Sequence, residues 1–447
     1  MTVVSRFAPS PTGTLHLGSV RTAFIAYLVA RSAGGKFILR IDDTDLKRSK
    51  DENTESIKRD LQWMGFTWDE YYHQFGREAV YHAARDKLIA SGRVYPCYET
   101  EEELALKRKV QLGRGAPPVY DRAALKLTVE QKAKYEAEGR KPHYRFLLNH
   151  EPIIWDDHIR GRVELHGKDF SDPVLIREDG SPLYHLCSVV DDIEYGVTHV
   201  VRGEDHVSNT AFHIQMIEAL GAKPMEFSHL PLVFDEEGKK FSKRTESLGV
   251  ETLRNDLGYE AVTILAFVSR LGTSKPIEPF QTIQEVIDNF DIKTFSRANP
   301  RFIDEELARL NAKIIHTMPY SIAKPKLDEM GLTGIDEAFW LVARQNLSIF
   351  RDIKDWWRVA QGPITPVIND RDFIKEAAVL LPTEPWNTDT WGQWANAVKE
   401  KTGRKGKDLF MPLRQALTGM DHGPEMAQLL PLIGHDRAQA RLSGHAE

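Results

Sequence analysis

Near its start the chain switches between a strand period and a helix period. Thr2 to Phe7 reads as a short strand, and Ala8-Pro9-Ser10-Pro11-Thr12-Gly13 as a turn. From Thr14 a helical spacing takes over, with Val20, Phe24, Tyr27 and Leu28 in step and Gly34-Gly35 as the stop. Phe37 to Ile41 is a mostly apolar strand running into Asp42-Asp43-Thr44-Asp45. Strand, glycine turn, helix, strand predicts the opening of a doubly wound nucleotide-binding fold, in which ligands sit beyond the carboxyl ends of the strands.

Residues 97–150 are rich in Lys, Arg and Glu, weakly periodic and broken by Gly113, Gly115, Pro117 and Pro118, which suits an insertion rather than a core. The α/β pattern is expected to resume near Tyr184, with a strand at Val197 to Val201 and a loop at Arg202-Gly203-Glu204-Asp205-His206. Ser208 or Asn209 is expected to cap a helix through Leu220, and Leu230 to Phe234 to form a last strand. Beyond residue 250 the strand signal fades, and 259–271, 282–289, 304–313 and 336–352 read as helices. Tryptophans gather late, at Trp356, Trp357, Trp386, Trp391 and Trp394, and are read mainly as core.

Composition sets the class. At 447 residues, 41% hydrophobic and 28% charged, the chain is an ordinary globular one of about three to four domains. No apolar run reaches the length of a membrane span, and the opening residues predict no signal peptide, so a cytoplasmic protein is expected. Two cysteines, Cys97 and Cys187, exclude a disulfide framework and a four-thiolate metal site. A net charge of −6 argues against indiscriminate coating of nucleic acid but leaves room for local basic tracks. Two exist, at Lys107, Arg108, Lys109, Arg114 and at Lys399, Lys401, Arg404, Lys405, Lys407; each by itself equally describes a solvated face.

No phosphate-binding loop of the G-x-x-x-x-G-K-[ST] type, no H-E-x-x-H, no C-x-x-C and no complete G-x-G-x-x-G occurs. The candidate anion site is instead Pro9 to Ser19, lying between the first strand and the first helix. Backbone N–H groups and the positive helix end face whatever binds there. Gly13 and Gly18 allow close approach, and His16 can donate to a phosphate oxygen. Lys239-Lys240-Phe241-Ser242-Lys243-Arg244, just after a late strand, carries enough positive charge to neutralise a triphosphate.

The pairing of His-Leu-Gly-Ser with Lys-Phe-Ser-Lys-Arg resembles the two signatures of class I aminoacyl-tRNA synthetases. Arg6 to Gly13, Arg40-Ile41-Asp42-Asp43-Thr44-Asp45, Tyr184-His185-Leu186, Val189-Val190-Asp191-Asp192, Arg202 to His206 and Gly406 to Gly419 narrow it to the bacterial-type glutamyl-tRNA synthetases. The resemblance is weakest across 97–150 and 310–395. It implies an α/β Rossmann-type catalytic core with an inserted acceptor-binding domain, followed by a mainly α-helical anticodon-binding region. The implied divisions are catalytic halves at 1–78 and 180–233, the insertion at 79–179, a stem-contact domain at 234–312, and helical domains at 313–374 and 375–447.

It further implies a monomer that activates L-glutamate with ATP and Mg²⁺ and transfers it to tRNA-Glu, also or instead to tRNA-Gln. His16, Lys240 and Lys243 would be catalytic. Arg6, Ala8, Ser10, Asp42, Tyr184, Ser188 and Arg202 would bind glutamate. Gly13, His16, Gly18, Asp205, Val233, Lys240, Ser242 and Lys243 would bind ATP. Asp42 stands where many members have Glu, and Ser188 where Asn is common. Some members hold zinc in the insertion, but here Cys97 is followed by Glu99 and by Tyr120-Asp121-Arg122-Ala123-Ala124, so no zinc and no resident metal is expected. Arg351, Lys354, Trp356, Trp357 and Arg358 are read either as anticodon contacts or as a helix–helix contact. The rival readings are a shortened paralogue that glutamylates a tRNA base, which would lack the helical half, and a non-catalytic RNA-binding paralogue, which would have lost His16 or Lys243. A small-molecule adenylating enzyme would need no basic helical tail.

Overall fold

Short apolar runs become parallel strands joined by helices in the computed structural model, which describes residues 2–45, 47–115, 117–238 and 249–446. The chain sets out β1 (Val4–Phe7), α1 (Leu17–Ser32), β2 (Lys36–Ile41), α2 (Asp51–Trp63), β3 (Glu70–His73) and α3 (Glu78–Ala90). Next come β4 (Val94–Cys97), α4 (Glu101–Gly113), α5 (Val129–Ala137) and β5 (His143–Phe146). It continues with β6 (Pro152–Asp157), β7 (Gly161–His166), β8 (Val174–Ile176), α6 (Tyr184–Glu194), β9 (His199–Gly203), α7 (Val207–Ala219) and β10 (Glu226–Leu230).

The main sheet has seven strands in the order β3-β2-β1-β9-β10-β6-β7. All neighbours from β3 to β6 are parallel, and β7 closes the edge antiparallel to β6. Parallel strands are covered on both faces, so the interior ones need apolar side chains throughout. Phe37, Ile38, Leu39 and Ile41 of β2 are accordingly buried, as is most of α1. Strand order reverses at β1, between β2 and β9, which opens a crevice at their carboxyl ends. A separate antiparallel sheet, β4-β5-β8, lies in the expected insertion.

Three expectations are corrected. The α/β pattern resumes at β6 rather than near Tyr184: the hairpin β6–β7, within the stretch 79–179, extends the main sheet. Its alternating burial, with Ile153, Trp155 and Asp157 inward, hides it among charged neighbours. The last strand is Glu226–Leu230 rather than Leu230 to Phe234. Pro231 has no N–H to continue the ladder, and Ser228 and His229 are buried strand residues that look polar in sequence. The helix expected to be capped by Ser208 or Asn209 starts at Val207, because the turn Glu204–His206 leads straight into it.

The chain divides into two compact units, Met1–Leu253 with Ile264–Ile303, and Arg254–Thr263 with Asp304–Glu447. The second is helical, as the fading strand signal predicts. Trp340 and Trp394 are fully buried in it, and Trp356 nearly so. Arg441 is buried as well, donating to the carbonyls of Val359 (2.7 Å), Leu417 (2.8 Å) and Gly362 (2.9 Å). Val359 and Leu417 lie in the last turns of Ile353–Gln361 and Lys407–Thr418, so one guanidinium ties off two helix carboxyl ends. Arg441→Met should leave these acceptors unsatisfied and cost roughly 3 kcal/mol, seen as a lower urea midpoint. An unchanged midpoint would remove this clamp from the account.

Candidate active site

The carboxyl ends of β1, β2, β9 and β10 open into a cavity of about 740 Å³. Arg6 ends up there because β1 alternates, and Arg40 and Arg202 occupy the matching ends of β2 and β9. All three are buried. Arg6 donates through Nε to Asp192 Oδ1 (3.1 Å) and through Nη2 to Oδ2 (3.3 Å). Arg40 donates to the same Asp192 Oδ1 (2.8 Å), to Asp42 Oδ1 (2.6 Å) and to Ser188 Oγ (3.2 Å). Burial opposes the charge of Asp192, but Arg6 and Arg40 together outweigh it and hold the carboxyl below its ordinary range. Burial pushes the Asp42 carboxyl up to about 6 against the pull of Arg40, so it is ionised at neutral pH.

Arg202 differs. Among the described residues its hydrogen-bond partners are neutral: His229 Nε2 (3.3 Å), the Tyr184 hydroxyl (3.3 Å) and Thr210 Oγ1 (2.6 Å). His229 is in turn aligned by Asp157, with Nδ1 and Oδ2 2.5 Å apart. Burial pulls the Arg202 guanidinium below its usual value, against the opposing pull of Tyr184 and Asp192. His185, His213 and His206 pack around Tyr184. Burial first, and Arg202 next, keeps them neutral, His185 near a pKa of about 4. Among the described residues, Arg6 and Arg40 pair with two carboxylates, Asp42 and Asp192, and Arg202 forms no ion pair. Arg21 and Asp205, also in the lining, add one charge of each sign.

His16 caps α1. Its Nδ1 accepts from the Ser19 N–H (3.3 Å) while Ser19 Oγ accepts from the His16 N–H (2.9 Å), a reciprocal box that fixes the ring. With Nδ1 accepting, the proton of the neutral ring sits on Nε2 as a donor. A Cβ on Gly18 would come within 3.2 Å of that ring, and one on Gly203 within 2.5 Å of Asp205 Oδ1, so both positions keep the lining open. A Cβ on Gly13 would meet nothing. The described chain resumes after residue 248 at Gly249, whose backbone bridges that of His16.

Of the residues singled out in the sequence, Arg6, Ala8, Ser10, His16, Gly18, Asp42, Tyr184, Arg202, Asp205 and Val233 all line this cavity. Ser188 stands behind it as a partner of Arg40. Gly13 lies outside the lining. Lys240, Ser242 and Lys243 fall outside the described residues. Arg40, Asp192, Arg21, His206 and Asn209 were missed, although Arg40 and Asp192 are the ends of tracts already noted. In the helical unit, Trp356 packs edge-on to His422, Trp357 edge-on to Phe339, and Arg351 donates to the carbonyls of Asn255 and Asp256. Trp356 is buried, Trp357 half-buried, and Arg351, Lys354 and Arg358 are exposed.

Residues 2–309 match the family described as tRNA synthetases class I (E and Q), catalytic domain, and residues 368–446 match an anticodon binding domain. The chain therefore belongs to the class I tRNA synthetase family of the glutamate and glutamine type. It is 52% identical to glutamate–tRNA ligase 1 of Maricaulis maris, over 99% of both chains. It is 52% identical to the glutamate–tRNA ligase of Azospirillum brasilense, again over 99% of both. A crystal structure of a glutamate tRNA ligase from Elizabethkingia meningosepticum, in complex with its amino acid, superposes with a TM-score of 0.84 at 27% identity, covering 99% of each chain.

Proposed function

We propose that the chain is a glutamate–tRNA ligase, forming glutamyl-adenylate from L-glutamate and ATP and passing the glutamyl group to the terminal adenosine of tRNA. The observation that carries this reading is Arg202, buried at a strand end with only neutral partners among the described residues. A substrate side-chain carboxylate would supply the missing negative charge, with Arg6 adjacent and the Tyr184 hydroxyl beside it. Glutamine would set its NH₂ group against guanidinium donors and leave the excess charge unpaired. Asp42, ionised and held by Arg40, would accept the substrate ammonium.

The chemistry needs no covalent enzyme nucleophile. The α-carboxylate attacks the α-phosphorus of ATP in line, the bond to pyrophosphate breaks, and a hydroxyl of the terminal adenosine then attacks the activated carbonyl and expels AMP. His16 Nε2–H would donate to a phosphate oxygen as negative charge shifts there, a type of contact worth roughly 3–4 kcal/mol in the transition state. Lys240, Ser242 and Lys243 would hold the triphosphate. Mg²⁺ would arrive with the nucleotide, with Asp205 as the lining carboxylate able to meet it. The stretch 79–179 would meet the acceptor end, 234–312 the stem, and the helices beyond 313 the anticodon of tRNA-Glu.

Zinc does not fit the insertion. Cys97 is the one thiol of the stretch 79–179, and Tyr120 to Ala124 offer neither thiol nor imidazole. Glu99 is engaged by the Tyr120 hydroxyl (2.8 Å) and Lys107 (3.3 Å), and Arg145 stacks 4.3 Å over the Tyr120 ring.

Two measurements test the reading. Charging of labelled glutamate onto tRNA-Glu and tRNA-Gln in parallel should give product on tRNA-Glu, and Arg202→Ala should raise the glutamate KM at least about 100-fold. No charging of either tRNA, or an unchanged KM, would refute it. Because Asp42 must be ionised to accept an ammonium, kcat/KM for glutamate should bend downward as pH falls through about 6. Asp42→Asn should lower kcat/KM and lose that bend, whereas retention of the bend would assign it to another group.

A further inference from the structure

Three side chains that the cavity does not use meet at the other end of the same strands. His199 opens β9, Glu226 opens β10, and His158 follows β6. The parallel register pairs His199 with Glu226 and Asp157 with Phe227, and the His158 N–H donates to the Phe227 carbonyl (3.0 Å). These pairings bring the three side chains together from positions far apart in sequence, where no motif spacing reveals them. His158 Nε2 lies 2.7 Å and His199 Nε2 3.3 Å from the same oxygen, Glu226 Oε2. All the candidate donor atoms fall within 4.8 Å of one another. The two imidazoles lie nearly parallel, their centroids 6.0 Å apart.

Two features distinguish this cluster from a plain surface ion pair. The Thr198 hydroxyl sits 2.8 Å from His199 Nδ1, fixing the ring so that Nε2 faces the cluster, the outer-shell support that metal-binding histidines have. Both imidazoles converge on one oxygen, Glu226 Oε2, rather than pairing with separate groups. Donors around a tetrahedral ion with bonds of about 2.1 Å stand about 3.4 Å apart, a spacing the solvent-facing Glu226 and His158 reach by small rotations. Two imidazoles and one carboxylate with a fourth position open to water match the donor preference of zinc.

We propose that His158, His199 and Glu226 form a binding site for Zn²⁺ at the amino ends of β9 and β10. A bound ion would cross-link the start of these two strands to the β6–β7 hairpin. The far ends of β9 and β10 carry Arg202 and His229, and Asp157, which aligns His229, directly precedes His158, so the ion would stiffen the frame of the cavity without touching substrate. Binding only the folded chain, it would also raise stability by linkage.

The test is calorimetric titration of Zn²⁺ into the full chain after stripping with a chelator. One equivalent should bind in roughly the micromolar range or tighter. His158→Gln and Glu226→Gln, both at exposed positions, should each weaken binding at least about tenfold while glutamate charging without added zinc stays unchanged. The double variant should abolish uptake. No uptake by the unmodified chain, or the same affinity in both variants, would overturn the proposal. This readout does not depend on catalysis, so its failure is distinct from failure of the ligase reading.

Discussion

Asp192 lies between Arg6 and Arg40, and the cavity is arranged around that shared carboxylate. Two buried guanidinium groups at adjacent strand ends would repel each other strongly in a medium of low polarity. One carboxylate from α6 neutralises part of that charge and fixes both planes, and Asp42 and Ser188 accept further hydrogen bonds from Arg40. Such a triad adds little net stability, since desolvation consumes most of the attraction, yet breaking it costs roughly 3–5 kcal/mol. What it provides is geometry: Arg6 is presented to the cavity in one orientation.

The groups that hydrogen-bond Arg202 are neutral ones. Arg202 is oriented by a hydroxyl, a second hydroxyl and an imidazole rather than by an acid, and the acid that completes the relay, Asp157, is one step removed on His229. His185, His206 and His213 are discharged by burial and by Arg202 itself. Among the described residues Arg202 therefore forms no ion pair. A strand-end position makes this possible, because the sheet buries the side-chain stem while the guanidinium reaches the crevice where strand order reverses.

Much of this was legible from residue order. The strand–turn–helix opening and the helical second unit follow from periodicity, and the family resemblance pointed to many of the residues that line the cavity. The motifs are local: His16 and Ser19 form a capping box within one turn. What escaped was non-local or disguised. Glu226–Leu230 buries Ser228 and His229, so it does not look like a strand, and β6–β7 joins the main sheet from within a charged stretch. Asp192 was quoted as part of a tract, but its partners come from β1 and β2, and no spacing rule links them. The same is true of the His158, His199 and Glu226 cluster. Trp356 and Trp357 were ambiguous because an aromatic pair looks the same whether it stacks on a base or on a neighbouring helix; their partners here are His422 and Phe339.

The central claim is that Arg202, a buried guanidinium with no ion-pair partner among the described residues, selects an anionic side chain. The direct measurement is calorimetric titration of L-glutamate and of L-glutamine into the unmodified chain, with tRNA and a non-hydrolysable ATP analogue present. The account predicts that glutamate binds at least about 100-fold more tightly, a difference of roughly 2.7 kcal/mol. Equal affinities for the two amino acids would contradict it.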